Sequence, residues 1–350
     1  MVKQAVFAVP GCLDTPTGGY AYDRRIIAEL RELGWNVDVL NIGEGFPWPN
    51  EATRSAARSV LLDVPGGRPI VLDGLALGVL PDEAAELARR NPLLALVHHP
   101  LALEWGLSAD QADTLRISEQ AALAAAREVV VTSPATAKLV AGDYAVPMGR
   151  ITVARPGSDP APRSIGSRNE IAHLLSVGSV VPRKGFDVLV AALATLAELP
   201  WRLTIAGDVT RDPNETARLR ASISRHGLAD RIEVTGAVSP ERLSALYNEA
   251  DVFVLASRFE GYGMAYSEAL SHGLPVIGTT AGAIPDTVPD GTGLLVAAGD
   301  VTALAAALRD VVASADLRRR MSDAASEAAR TLPTWRQSGA IFAATLEKLA

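Results

Sequence analysis

The sequence predicts an α/β protein built from two doubly wound, Rossmann-like domains. Three observations carry that prediction. Short apolar segments alternate with longer amphipathic ones along the whole chain, the pattern of βα units around parallel sheets. Segments such as Leu93-Leu94-Ala95-Leu96-Val97 are apolar on both faces, which suits strands covered by helices on each side. Near the middle, Arg155-Pro156-Gly157-Ser158-Asp159-Pro160-Ala161-Pro162-Arg163 interrupts the alternation, and its prolines exclude a helix or a central strand. A chain of 350 residues is also long for one core.

In the first half, strands are expected at 4–9, 36–41, 69–72, 93–97, 128–132 and 151–153, with helices at 20–33, 82–90, 108–126 and 134–140. In the second half they are expected at 172–177, 201–206, 231–235, 252–255, 274–277 and 293–296, with helices at 185–198, 214–226, 239–249, 264–272 and 301–314. The tail from Pro333 to Ala350 reads as a separate amphipathic helix, with Trp335, Ile341, Phe342, Leu346 and Leu349 as its apolar contacts. The expected domains are 1–162 and 163–332.

Composition narrows the function. A hydrophobic content of 48% with 21% charged residues describes a soluble globular chain. The net charge of −7 argues against nucleic acid as a partner. The segment Met1 to Val9 reads as a first strand, not a signal peptide, and no apolar run approaches the roughly 20 residues of a membrane span. Cys12 is the sole cysteine, which excludes an internal disulfide and points to a reducing cytoplasm. Lysine occurs only at 3, 138, 184 and 348, so the Arg183-Lys184 pair is conspicuous.

The most informative stretch is Arg258-Phe259-Glu260-Gly261-Tyr262-Gly263-Met264-Ala265-Tyr266-Ser267-Glu268. It joins a buried strand to a helix through a Gly-x-Gly turn. Backbone N–H groups at such a junction, with the positive end of the helix dipole, receive phosphate oxygens. Glu260 and Glu268 cannot attract phosphate, but they can accept hydrogen bonds from hydroxyls on either side of it. A sugar nucleotide has that layout. Ligands of doubly wound folds bind at the carboxyl ends of strands, and Gly18-Gly19, His98-His99, Arg183-Lys184 and Glu260 all follow strands. Two such edges facing each other would form one cleft.

The Arg183-Lys184 pair, at the end of Ser176-Val177-Gly178-Ser179-Val180-Val181-Pro182, could stabilise a departing diphosphate; alone it also fits a solvated loop. Gly18-Gly19 could let backbone approach a phosphate or sugar, or form a plain turn, since the full dinucleotide pattern is lacking. One of His98 and His99 is expected at the reacting centre, and Glu104 either orients the acceptor or forms a surface pair. No metal is expected: the histidines show no ligand spacing, and there is no Asp-x-Asp pair.

Residues 175–304 resemble the retaining glycosyltransferases of family four, which adopt the GT-B fold. The matches are Gly178 through Arg183-Lys184-Gly185-Phe186-Asp187, Leu203-Thr204-Ile205-Ala206-Gly207-Asp208, Arg231 to Gly236, Ala250 to Val254, the Glu260–Glu268 stretch, Ala269 to Ile277, and Gly291 to Val296 with Gly299-Asp300. Over residues 1–165 the resemblance rests on Gly18-Gly19 and the histidine after the fourth strand. It implies two Rossmann-like domains facing across a cleft, with the tail helix 333–350 crossing back to the first. It implies that Glu260 contacts sugar hydroxyls, that Glu268 holds ribose hydroxyls, and that Arg183 and Lys184 lie on the diphosphate. It places Ser179, Asp208, Gly261 and the backbone of Tyr262, Gly263 and Met264 at the donor, Val238 beside the base, and His98 or His99 near the donor sugar.

The expected activity is metal-independent, retaining transfer from a nucleoside diphosphate sugar, a UDP-sugar by preference, to an acceptor hydroxyl, with no further cofactor. A sugar-nucleotide epimerase or a phosphorylase on the same fold is the alternative. Residues 1–160 carry 14 basic against 19 acidic side chains, which favours a soluble acceptor over a lipid-linked one, unless Arg24, Arg25 and Arg31 form a basic patch. Peripheral membrane contact and the oligomeric state stay open.

Overall fold

The computed structural model describes residues 3–167 and 169–349. Met1, Val2, Arg168 and Ala350 fall within the expected domain ranges but lie outside the described residues. The chain divides into two compact units. The first runs to Gly157 and resumes at Pro333; the second is Ser158–Leu332. The division therefore precedes the expected one at 162/163. The end of the linker is tied to the second unit: the Pro162 carbonyl meets His272 Nδ1 at 3.1 Å, and Ser164 N donates to the His272 carbonyl at 2.8 Å.

In the first unit, β1 (Lys3–Val9), β2 (Trp35–Asn41), β3 (Ile70–Asp73), β4 (Leu93–Val97), β5 (Glu128–Val131) and β6 (Ile151–Val153) form one sheet, ordered β2-β1-β3-β4-β5-β6. Every strand pair is parallel. β3 and β4 are buried along their whole length, as expected for central strands covered on both faces.

The second unit repeats the scheme with β7 (Ala172–Val177), β8 (Trp201–Ala206), β9 (Ile232–Gly236), β10 (Val252–Val254), β11 (Val276–Thr279) and β12 (Gly293–Val296), ordered β12-β11-β10-β7-β8-β9. Its core runs from Leu174 and Leu175 on β7 through Phe253 to Leu308 and Val311.

Helices Glu51–Leu62 and Ala315–Ala329 were not expected. Each buries only two residues, Ala57 with Leu61 and Met321 with Ala325. Their caps carry the signal instead: the Asn50 side chain accepts from Thr53 N, and the Ser314 hydroxyl from Leu317 N.

The tail helix, Trp335–Glu347, starts from a capping box between Thr334 and Gln337 and packs within the first unit. Phe342 stacks on Phe7 with ring centroids 6.1 Å apart, and Trp335 meets Tyr22 at 5.9 Å. Ile341, expected among its contacts, is instead exposed, because the buried stripe passes through 335, 338, 339, 342 and 346. Gly339 permits close approach to helix Gly18–Glu32: a Cβ there would lie 2.4 Å from Glu29 Cβ. Gly339→Val should therefore destabilise the first unit by about 1–3 kcal/mol, the scale of overpacking, measured as a lowered urea midpoint.

Candidate active site

The carboxyl ends of β7 and β10 supply the main cluster. After β7 the chain turns through Gly178 and Ser179, pairs Gly178 N with Ala206 O and Val180 N with Asp208 O, and enters a 3-10 turn, Pro182–Lys184. Gly185 then adopts φ 66°, and a Cβ there would meet the Ala256 carbonyl oxygen at 2.0 Å. Only glycine fits that approach, which draws the basic pair onto the loop that follows β10.

Arg258 locks the two loops together. Its backbone N donates to Arg183 O at 2.7 Å, and its guanidinium bonds Pro182 O and both Asp187 oxygens at 2.6–2.9 Å. Lys184 Nζ then lies 2.6 Å from Glu260 Oε1, and Arg183 NH1 lies 3.1 Å from Glu260 Oε2 and 2.9 Å from Phe259 O. Ser257 Oγ donates to Glu260 Oε1 at 2.6 Å. Glu260 is 6% exposed. Burial would raise its pKa, but the charges of Lys184 and Arg183, with hydrogen bonds from Lys184 and Ser257, outweigh it and hold the carboxyl down at about 2. Glu260 is thus a fixed anion, held by three side-chain donors and unsuited to taking a proton at neutral pH. Two cations thus converge on this one carboxylate.

Behind Glu260, Gly263 takes φ 88° and caps helix Met264–Ser271 without a side-chain cap bond. The first-turn N–H groups of a helix have no partner inside it, and their dipole end is positive. Gly261 and Tyr262 are buried just ahead of this turn, and the Tyr262 carbonyl is held by Thr287 Oγ1 at 2.6 Å. Glu268 projects from the helix and accepts from the Tyr247 hydroxyl at 2.9 Å. Burial keeps its pKa above the ordinary carboxylate value. Tyr247 in turn stacks on His272, centroids 5.0 Å apart.

Ser179 is half-buried in the loop after β7, and Val238 is half-buried after β9, against the core. Asp208 follows β8 and turns onto its own loop, where Oδ1 accepts from Thr210 N and Thr210 Oγ1, each at 2.7 Å. The Thr210 side-chain and backbone hydrogen bonds hold its carboxyl below the usual range.

In the first unit, Gly18 and Gly19 open helix Gly18–Glu32, capped by Thr17. Gly18 faces open space, whereas a Cβ at Gly19 would lie 3.3 Å from His98 Cδ2. The two histidines after β4 part company. His98 turns inward, with Nε2 3.1 Å from Asp23 Oδ1 and 3.3 Å from Asp73 Oδ2. His99 turns to Glu104, 3.4 Å away, whose side chain is 43% exposed. Arg24 bonds the Leu13 carbonyl, Arg25 lies 5.0 Å over Trp335, and Arg31 donates to Val37 O at 2.9 Å. The suspected basic patch is thus directed at internal partners.

The structure therefore brings Arg183, Lys184 and Glu260 into direct contact and sets Glu268 on its own tyrosine. Sequence reasoning missed Ser257, Arg258, Tyr247, Asp23 and Asp73. Arg258 and Ser257 border the Glu260 stretch and could have been weighed with it; Tyr247 carried no signal beyond that of a core aromatic.

Residues 159–328 match the family described as Glycosyl transferases group 1. An MMP alpha-(1->4)-mannosyltransferase of Mycolicibacterium hassiacum is 30% identical over 87% of this chain and 76% of its own length. The chain is a group 1 glycosyltransferase. A D-inositol 3-phosphate glycosyltransferase of Actinosynnema mirum is also 30% identical, over 76% of this chain and 70% of its own. The glycosyltransferase shares its fold with sucrose-phosphate synthase from Thermosynechococcus elongatus, at TM-score 0.85 and 21% identity over 99% of both chains. Anabaena HepE in complex with UDP-glucose aligns at TM-score 0.80 and 19% identity, again over 99% of both. The fold is GT-B, with two Rossmann-like domains.

The depressed Glu260 pKa fixes a pH window. Stability from this carboxylate is complete above its ordinary pKa of 4.5 and is lost as pH falls through about 2. Thermal unfolding of the glycosyltransferase from pH 7 to 2 should show a fall in Tm below 4.5 that Glu260→Gln flattens. At pH 7 the same variant should be less stable by about 3 kcal/mol, since it strands two partly buried cations.

Proposed function

We propose that this glycosyltransferase moves a hexosyl group from a nucleoside diphosphate sugar to an acceptor hydroxyl, with retention of configuration and without a metal ion. The Lys184–Glu260–Arg183 cluster beside the helix that opens at Gly263 carries the reading. Its paired cations and the adjacent helix N-terminus suit a diphosphate whose charge grows as it leaves, which is the work a metal ion would otherwise do. A UDP-sugar is the preferred donor, supported by the fold shared with HepE in its UDP-glucose complex. Val238 would border the base and Glu268 would accept from ribose hydroxyls. Glu260 would accept from sugar hydroxyls.

Glu260 is too firmly held and too weakly basic to serve as a nucleophile. In the proposed step the bond from the anomeric carbon to the phosphate oxygen breaks, and the acceptor oxygen bonds to that carbon on the same face. The acceptor proton passes to the leaving phosphate. The acceptor is a soluble hydroxyl compound; the arginines at 24, 25 and 31, turned onto internal partners, support that choice over an anionic membrane.

Lys184→Ala should lower kcat/KM by about two orders of magnitude or more, the scale of one preorganised donor, with turnover in chelator unchanged for the native enzyme. Undiminished turnover in the variant would remove Lys184 from this role. Proton NMR of the first product formed should show the anomeric configuration of the donor; the opposite configuration would reject retention.

A further inference from the structure

Two carboxylates of the first unit grip His98, and the proposed step leaves them unexplained. Asp23 lies in the first turns of helix Gly18–Glu32 and is fully buried; Asp73 ends β3 and is 2% exposed. A carboxylate is costly to bury without an opposite charge or donors. Asp73 Oδ1 accepts from Leu75 N at 2.8 Å, yet Asp23 Oδ2 has no hydrogen-bond partner.

Every element around His98 bears on its state. Helix Gly18–Glu32 contributes Asp23 and the edge of Tyr22, with ring centroids 5.4 Å apart. β3 contributes Asp73, and Thr132 after β5 donates its hydroxyl to the His98 carbonyl at 3.1 Å. His99 is turned to Glu104, and Arg25 to Trp335. The imidazole is thus the basic group placed between two buried carboxylates, both of which approach the same nitrogen. Burial works against a charged ring, but the Asp23 charge and the hydrogen bonds to Asp23 and Asp73 hold its pKa up at about 10. Among the described residues no side chain or carbonyl reaches Nδ1, and the His98 side chain keeps 20% exposure.

We propose that Asp23 and Asp73 are positioning residues: they take Nε2–H between them, hold His98 as an imidazolium, and leave Nδ1 as an obligatory hydrogen-bond donor to an oxygen of a sugar ligand. The last clause rests on the function proposed above. A neutral ring bound the same way would present Nδ1 as an acceptor, so the carboxylates decide which kind of ligand atom this position selects. Gly19 leaves room for the ring beside a helix N-terminus, whose dipole alone would disfavour a cation.

The test is a titration of the full chain labelled with nitrogen-15 histidine, with His98 assigned by the signal lost in His98→Gln. Both His98 ring nitrogens should carry protons at pH 8. Asp73→Asn, which retains an oxygen to cap Leu75 N, should lower the titration midpoint by at least one unit; Asp23→Asn serves if that variant does not fold. In sugar transfer, the kcat of Asp73→Asn should fall as pH rises through its own lowered midpoint and recover below it. A purely structural role would leave the deficit independent of pH. A neutral His98 at pH 7, a titration that ignores Asp73, or a metal ion bound stoichiometrically by these three side chains would overturn the proposal. So would full activity in His98→Gln. The spectra decide the state of the ring even if the donor assignment fails.

Discussion

Lys184 Nζ and Arg183 NH1 meet the two oxygens of a single carboxylate, Glu260, at 2.6 and 3.1 Å in a largely buried setting. That contact constrains both loops that carry it. The Arg183 turn must come down onto the segment after β10, which requires glycine at 185 above the Ala256 carbonyl and Arg258 as a clasp. Lys184 must also run past the end of β7, where a Cβ at Gly178 would lie 3.0 Å from Lys184 Cε. The result is a cluster whose charged side chains are fixed by their own contacts, the arrangement that needs least reorganisation when a charge develops beside it.

The carboxylates of the second unit are set in opposite directions. Glu260 is driven far below its ordinary pKa by two cations, whereas Glu268, facing a tyrosine hydroxyl, is raised by burial. One is a fixed charge that also organises its own partners; the other is a hydrogen-bonding group whose charge is expensive. Divergent environments for paired carboxyls assign divergent tasks. The first unit inverts the arrangement, with one imidazole serving two buried carboxylates.

Much of this was legible in the sequence for physical reasons. Buried parallel strands must be apolar on both faces, so β3, β4, β10 and β11 announced themselves. A glycine turn between strand and helix, flanked by glutamates, marked the stretch that holds Glu260, and a rare lysine beside an arginine marked its counter-charge. What stayed hidden depends on packing between distant segments. Asp23 shares its helix with Ile26, Ile27 and Leu30 and looks like an ordinary polar position until β3 brings Asp73 beside it. Asp73 itself falls one residue past the apolar run that defined the strand. His98 and His99 were indistinguishable in sequence because adjacent residues leaving a strand point to opposite sides.

Lys184, Arg183 and Glu260 are proposed to form a diphosphate site. Calorimetric titration of UDP and of uridine into the native protein and into Arg183→Ala tests it most directly. UDP binding should weaken by about tenfold or more in the variant, the scale of a lost charge-assisted contact, while uridine binding should be unchanged. Equal UDP affinity in the two proteins would contradict it.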